Sequence, residues 1–195
     1  MKSEEELKSI NRDLNSVRMM HHPNLPLPDE ATLRLLTAIR RIDGFSRELG
    51  QWEQNVCTGG IIVLGYRLHP PQTGAMSEAQ HQALTALLEY TTSPNPWIAG
   101  SAAHSLGMLK RREGIPALQR IIQDEGFVDD PTHPITVRGV AFRALMRIDR
   151  EAARELIGTR ACREYLVGVD NWLRDARPGQ SPDELLEESA WLRES

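Results

Sequence analysis

The chain has 195 residues, of which 40% are hydrophobic and 26% charged, a composition typical of a folded globular protein and not of a disordered one. Aromatic residues make up only 5% of the chain, which favours helices packed on helices over a β-sandwich. The formal net charge of −4 is too small to attract the protein as a whole to nucleic acid or to an anionic membrane.

The first predicted element is an N-terminal helix that begins with a capping box of Ser3 and Glu6. Its apolar side chains recur at three- and four-residue steps and form one narrow stripe, which either docks on the protein's own core or pairs with a partner or a second copy. Alternating prolines then predict an extended linker, so residues 1–28 are interpreted as a helical arm followed by a proline-rich linker. The stripe consists of Leu7, Ile10, Leu14 and Val17.

Helices are predicted along the rest of the chain, separated by breaks that are rich in proline and glycine. No segment is persuasive as a strand. Residues 61–64 have the composition of a strand, but their place in the repeat described below favours a helix. The predicted helix starts are Asp29, Ser46, Ser77, Asn95, Pro116, Ile135, Glu151, Arg160 and Ser181.

Three of the predicted helices carry the same apolar pattern, in which a branched residue is followed after one turn by a small residue and after a second turn by leucine. The branched residues Val56, Ile98 and Val137 begin copies that lie about 40 residues apart, at or near the period of HEAT and armadillo repeats. A turn and a second apolar helix follow each copy. The predicted unit is therefore a helix–turn–helix that must stack on its neighbours to bury its apolar face. The small residues are Gly60, Ala102 and Ala141, and the leucines are Leu64, Leu106 and Leu145.

The second copy reads Ile98-x-x-x-Ala102-Ala103-x-x-Leu106-Gly107-x-Leu109, then Gly114-Ile115-Pro116-x-Leu118. This order of a branched residue, Ala-Ala, Leu-Gly and a proline-led second helix resembles a HEAT repeat of the phycobilisome-lyase type. The resemblance covers residues 46–160, and in the third copy Met146 replaces the glycine. It implies an all-α fold, a short right-handed α-solenoid of HEAT-like helical hairpins with capping helices at both ends. The array would span residues 29–160, and the C-terminal capping helices residues 161–195.

No motif for catalysis, or for binding a metal or a nucleotide, stands out in the sequence. The six histidines lack the spacing of a metal site, and a lone histidine within a repeat helix, such as His104, is usually structural or exposed. Gly59, Gly60 and Gly65 do not form a phosphate-binding loop, and no nucleophile elbow is present. We therefore expect no enzymatic activity, no metal and no cofactor.

Residues 134–163 form the clearest charged feature, because seven arginines stand there against three acidic residues. Either this stretch is a solvated surface neutralised by the acidic C-terminal tail, or it is a patch for an acidic protein or a nucleic-acid backbone. The arginines are Arg138, Arg143, Arg147, Arg150, Arg154, Arg160 and Arg163.

The predicted function is that of a non-enzymatic scaffold, adaptor or inhibitor that binds another protein on the concave surface of the array, as a bacterial protein that neutralises a toxin would. A second hypothesis is a nucleic-acid-binding HEAT-like protein that uses the arginine-rich face, although no repeat helix has the Trp and Asp, one turn apart, of HEAT-like DNA glycosylases. A third is a phycobilisome-lyase-like subunit. The N-terminal helix could in addition pair two copies of the chain. The candidate contacts are Gln82, Glu89, Trp97, Gln119, Arg120, Gln123, Arg143, Arg147 and Arg154.

We expect a cytoplasmic protein without a membrane segment. The acidic N-terminus lacks the basic start and the apolar stretch of a signal peptide, and the most apolar run, residues 59–68, is too short to span a bilayer. Cys57 and Cys162 lie far apart in the sequence and in no metal-type pair, so they are predicted to be buried free thiols in a reducing compartment.

Overall fold

The computed structural model describes residues 3–20, 27–46, 49–68, 75–123, 136–174 and 182–194. In these residues the protein has ten α-helices, one 3₁₀ turn and no β-strand, which confirms the predicted all-α class and the helix over residues 61–64. None of the described helices is long and apolar enough to cross a membrane. The elements are α1 Glu4–Met20, α2 Asp29–Arg40, α3 Gln51–Arg67, α4 Glu78–Tyr90, α5 Pro96–Leu109, the 3₁₀ turn Arg112–Gly114, α6 Ile115–Gln123, α7 Val137–Ile148, α8 Arg150–Arg154, α9 Arg160–Arg174 and α10 Pro182–Glu194.

Local sequence explains where several helices begin. The side chain of Asn95 accepts hydrogen bonds from two backbone amides in the first turn of α5, and Pro96 occupies the first position of that helix. Ser77 starts a capping box at the beginning of α4. The predicted start at Ser46 is wrong, since α3 begins at Gln51. The proline-rich linker before residue 27, and the predicted starts at residues 135 and 181, lie outside the described residues.

The three repeated helices lie side by side, because α3 packs against α5 and α5 packs against α7. Helix α9 continues the row beyond α7. The nine residues of the repeated pattern are all buried. Helices α2, α4, α6 and α8 pack on this row: α2 packs on α3 and α4, α4 packs on α5, and both α6 and α8 pack on α7. The apolar core includes residues from the row and from the helices that pack on it.

The pairing of helices differs from the predicted unit. We expected each repeated helix to pack on the helix that follows it. This holds for α7, which packs on α8 as well as on α6, but α3 packs on α2, and α5 packs on α4. In the first copy, the small residue explains why α3 packs on α2. A Cβ atom at Gly60 would lie 2.6 Å from Cγ1 of Ile39, so the glycine lets α2 approach the repeated helix closely.

Neighbouring repeated helices also touch at equivalent positions. A Cβ atom at Gly65 would lie 2.6 Å from Cα of Ser105, and one at Gly107 would lie 2.7 Å from Cα of Ala144. Each glycine directly follows the repeated leucine of its own helix, and each contacted residue directly precedes the repeated leucine of the next helix. The same backbone contact therefore joins α3 to α5 and α5 to α7, which makes the repeat a structural one as well as a sequence pattern.

The N-terminal helix docks on the protein's own core. Leu7, Ile10 and Leu14 are buried, and α1 packs on α2 and α3. An ion pair between Asp13 and Arg41, with an N–O distance of 2.9 Å, adds a contact to the segment after α2. These three apolar side chains are therefore used within the chain and are not offered to a second copy, while the side chain of Val17 lies outside the described residues.

Candidate functional site

The structure separates the candidate contact residues into two groups on different helices. The first group lies on α4 and α6, and the second lies on the repeated helices α5 and α7. Arg154 belongs to neither group, because it lies on α8 and its guanidinium stacks on Trp191 of α10. The first group comprises Gln82, Glu89, Gln119, Arg120 and Gln123, and the second comprises Trp97, Arg143 and Arg147.

The group on α4 and α6 makes mainly local contacts. Gln82 donates a hydrogen bond of 3.0 Å to Glu78 of the same helix. Arg120 donates to the hydroxyl of Thr91 at 3.0 Å, which ties α6 to the end of α4. Gln119, Arg120 and Gln123 border a shallow, open depression on α6. This group combines small polar contacts with little exposed apolar area, so it offers few anchors for a partner.

The second group belongs to a larger surface that runs across three stacked helices. We call this surface the repeat face; it consists of the side chains of α3, α5 and α7 that remain at least partly exposed opposite the buried pattern. Tyr66 is its most exposed aromatic side chain, with 46% of its area accessible. The repeat face comprises Ile62 and Tyr66 on α3, Trp97, Ser101, His104 and Met108 on α5, and Val140, Arg143 and Arg147 on α7.

Direct contacts connect the three helices across the repeat face. Nε2 of His104 lies 3.4 Å from the hydroxyl of Tyr66, and the two rings are tilted with their centroids 5.9 Å apart. On the other side, Nη1 of Arg147 donates to the sulfur of Met108 at 3.2 Å. The side chains of α3, α5 and α7 therefore form one continuous surface and not three separate ridges.

His104 lies near the two arginines that α7 contributes to the repeat face. Burial lowers the pKa of His104 to about 4, and the charges of Arg147 and Arg143 act in the same direction. His104 is thus neutral at pH 7 and lies beside two permanent cations. Helices α5 and α7 contain no acidic residue, and the one acidic residue of α3, Glu53, is buried.

The sequence pointed to Arg143, Arg147 and Trp97 but not to Tyr66 and His104; the structure places His104 near the two arginines and Tyr66 against His104. The repeat itself carried the signal. Tyr66 and Arg147 each lie two positions after the repeated leucine, and His104 and Arg143 each lie two positions before it. Once the copies are aligned, these positions fall on the exposed side of stacked helices.

The arginine-rich stretch does not form one basic patch. Arg138 is almost fully buried and makes a two-pronged ion pair with Glu164, at 3.0 and 3.2 Å, and Arg160 binds the same carboxylate at 2.6 Å. Arg163 donates to the carbonyl of Gly158. The guanidinium groups of Arg150 and Arg154 lie over Trp191, 4.6 and 5.5 Å from its ring centroid. Only Arg143 and Arg147 of the seven belong to the repeat face.

Glu164 is the anchor of this charged network between α7 and α9. Burial raises the pKa of its carboxyl, but hydrogen bonds from Arg138, Thr136 and Arg160 outweigh that effect and leave the pKa below its usual value. The hydroxyl of Thr136 donates at 2.8 Å, so the Glu164 carboxylate accepts hydrogen bonds from three side chains. The network therefore serves attachment of α9 and not recognition of a partner.

Other chemistry finds little support in the described part of the chain. No group of three or more His, Cys, Asp or Glu residues there has the geometry to hold a metal ion. Both cysteines are buried, as predicted, and burial raises the pKa of the Cys57 thiol to about 12, which keeps it protonated and unreactive.

Comparison with family models, with curated proteins and with solved structures finds no match for this chain. The resemblance of its second copy to HEAT repeats of the phycobilisome-lyase type therefore stays a prediction from the sequence, and the function has to be argued from the site.

Proposed function

We propose that this protein is a short right-handed α-solenoid of HEAT-like hairpins that binds another protein through the repeat face and acts as a scaffold, adaptor or inhibitor without enzymatic activity. One observation carries the proposal. Aromatic and arginine side chains that are at least partly exposed share one surface across three neighbouring helices.

The composition of the repeat face supports a protein partner. Tyrosine, tryptophan and arginine are the residue types that most often supply the binding energy of protein interfaces. Tyr66, Trp97, Arg143 and Arg147 provide them here, with Met108 as an adaptable apolar neighbour. Helices held in place by close backbone contacts also lose little conformational entropy when a partner binds.

The distribution of charge favours a protein over a nucleic acid. Affinity for nucleic acid comes largely from cations that contact phosphates, and a strongly salt-dependent binding surface makes about 6–10 such contacts. Of the seven arginines in residues 134–163, five are engaged away from the repeat face, with Glu164, with Trp191 or with the carbonyl of Gly158. The other two arginines are too few for such a surface and lie among aromatic and apolar side chains, a composition that suits a protein partner better than a phosphate backbone.

Site-specific photo-crosslinking in the native host tests the proposal. A photoreactive amino acid is placed at Tyr66 on the repeat face and, as a matched control, at Leu33 of α2, because the two side chains are similarly exposed, at 46% and 41%. We expect one protein to crosslink at position 66 and not at position 33. The double charge reversal Arg143→Glu plus Arg147→Glu should abolish that crosslink, and circular dichroism checks that the variant remains folded.

The purified partner must then bind the purified chain with the same dependence on the two arginines. Equal crosslinking at positions 66 and 33, or no effect of the charge reversal, would remove the repeat face as the binding surface. A crosslink at Glu89 but not at Tyr66 would assign binding to the α4 and α6 group instead.

The proposal includes a reducing, cytoplasmic setting, which the burial of Cys57 and Cys162 supports.

A further inference from the structure

We draw no further inference here: the strongest candidate, the partly exposed aromatic patch that Tyr66 and His104 form where α3 meets α5, belongs to the repeat face already described, and nothing in the structure shows what covers it.

Discussion

Adding a single methyl group at Gly107 should destabilise the protein, although alanine is normally the better residue in a helix. The new Cβ atom would lie 2.7 Å from Cα and 2.8 Å from Cβ of Ala144, and a backbone atom cannot turn aside as a flexible side chain does. Overpacking of this kind costs about 1–3 kcal/mol, and we place this case at the upper end because α5 and α7 must move apart. Replacing glycine by alanine inside a helix returns about 1 kcal/mol. We therefore expect Gly107→Ala to lower the free energy of unfolding by about 1–2 kcal/mol.

Gly59→Ala is the matched control for this prediction. Gly59 also lies inside a helix, but a Cβ atom there would meet no atom within 4 Å. The same substitution should therefore stabilise the protein by about 0.5–1 kcal/mol. Urea unfolding followed by circular dichroism at 222 nm compares the two variants with the parent. In a thermal scan each kcal/mol corresponds to a shift of about 2–4 °C for a chain of this size.

A loss of stability in Gly107→Ala together with a gain of stability in Gly59→Ala would support the close approach of α5 and α7. Gly65→Ala should behave like Gly107→Ala, because a Cβ atom at Gly65 would lie 2.6 Å from Cα of Ser105. The reasoning is refuted if Gly107→Ala and Gly65→Ala both stabilise the protein as much as Gly59→Ala does, since the repeated helices would then stand too far apart to stack as described.

Three further predictions concern the ends of the array and the helix caps. Glu164→Gln should lower the free energy of unfolding at pH 7 by about 3 kcal/mol, because it leaves the buried Arg138 without its carboxylate. The pKa of Glu164 in the folded protein lies below the usual 4.5, so the difference in unfolding free energy from the parent should stay constant above about pH 5 and shrink below pH 4.5. Urea unfolding at several pH values checks this. Trp191→Ala should speed hydrogen exchange in residues 182–194 without changing exchange in α5, because it removes two cation–π contacts of about 0.5–1 kcal/mol each. Leu186→Ala, at a half-exposed site on the same helix, should leave hydrogen exchange in residues 182–194 unchanged. Asn95→Ala should lower the free energy of unfolding by about 2–3 kcal/mol, because it removes the cap of α5 and the 3.0 Å hydrogen bond to the buried Gln54; a loss under 0.5 kcal/mol in thermal unfolding would contradict this.

The sequence was sufficient to predict the helical class and the equivalence of the repeated helices. The spacing of Val56, Ile98 and Val137 reflects burial on one side of each helix, and burial follows directly from periodicity. Helix caps such as Asn95 were predictable for a similar reason, since their hydrogen bonds are made within a few residues.

The pairing of helices was not predictable from the same pattern. A buried face shows that something covers it but does not show whether the preceding or the following helix does so. The contact of Gly60 with Ile39 decides this for α3, and it joins residues far apart in the sequence. The sequence also could not show whether the apolar stripe on α1 docks on the protein's own core. The same apolar spacing, which includes Ile10, occurs in a docked helix and in a helix that binds a partner.

The candidate site was predictable only in part. Arg143 and Arg147 stood out because they are close in sequence, whereas Tyr66 and His104 join them only when three helices stack. Conversely, the arginine-rich stretch looked uniform in sequence but is divided in space, since Arg138 is buried against Glu164. Charge counts along a chain do not distinguish buried partners from exposed ones.

A distance between spin labels on α3 and α7 tests most directly whether α3, α5 and α7 stack in register. Labels at Tyr66→Cys and Arg147→Cys occupy equivalent positions, and the burial of both native thiols limits their labelling, which the parent chain checks. Two interhelical steps of about 8–10 Å each predict a single narrow distance peak at about 20–30 Å once the label arms are included. A peak beyond about 35 Å, or a broad distribution without a peak, would contradict the stacked arrangement and the continuous repeat face with it.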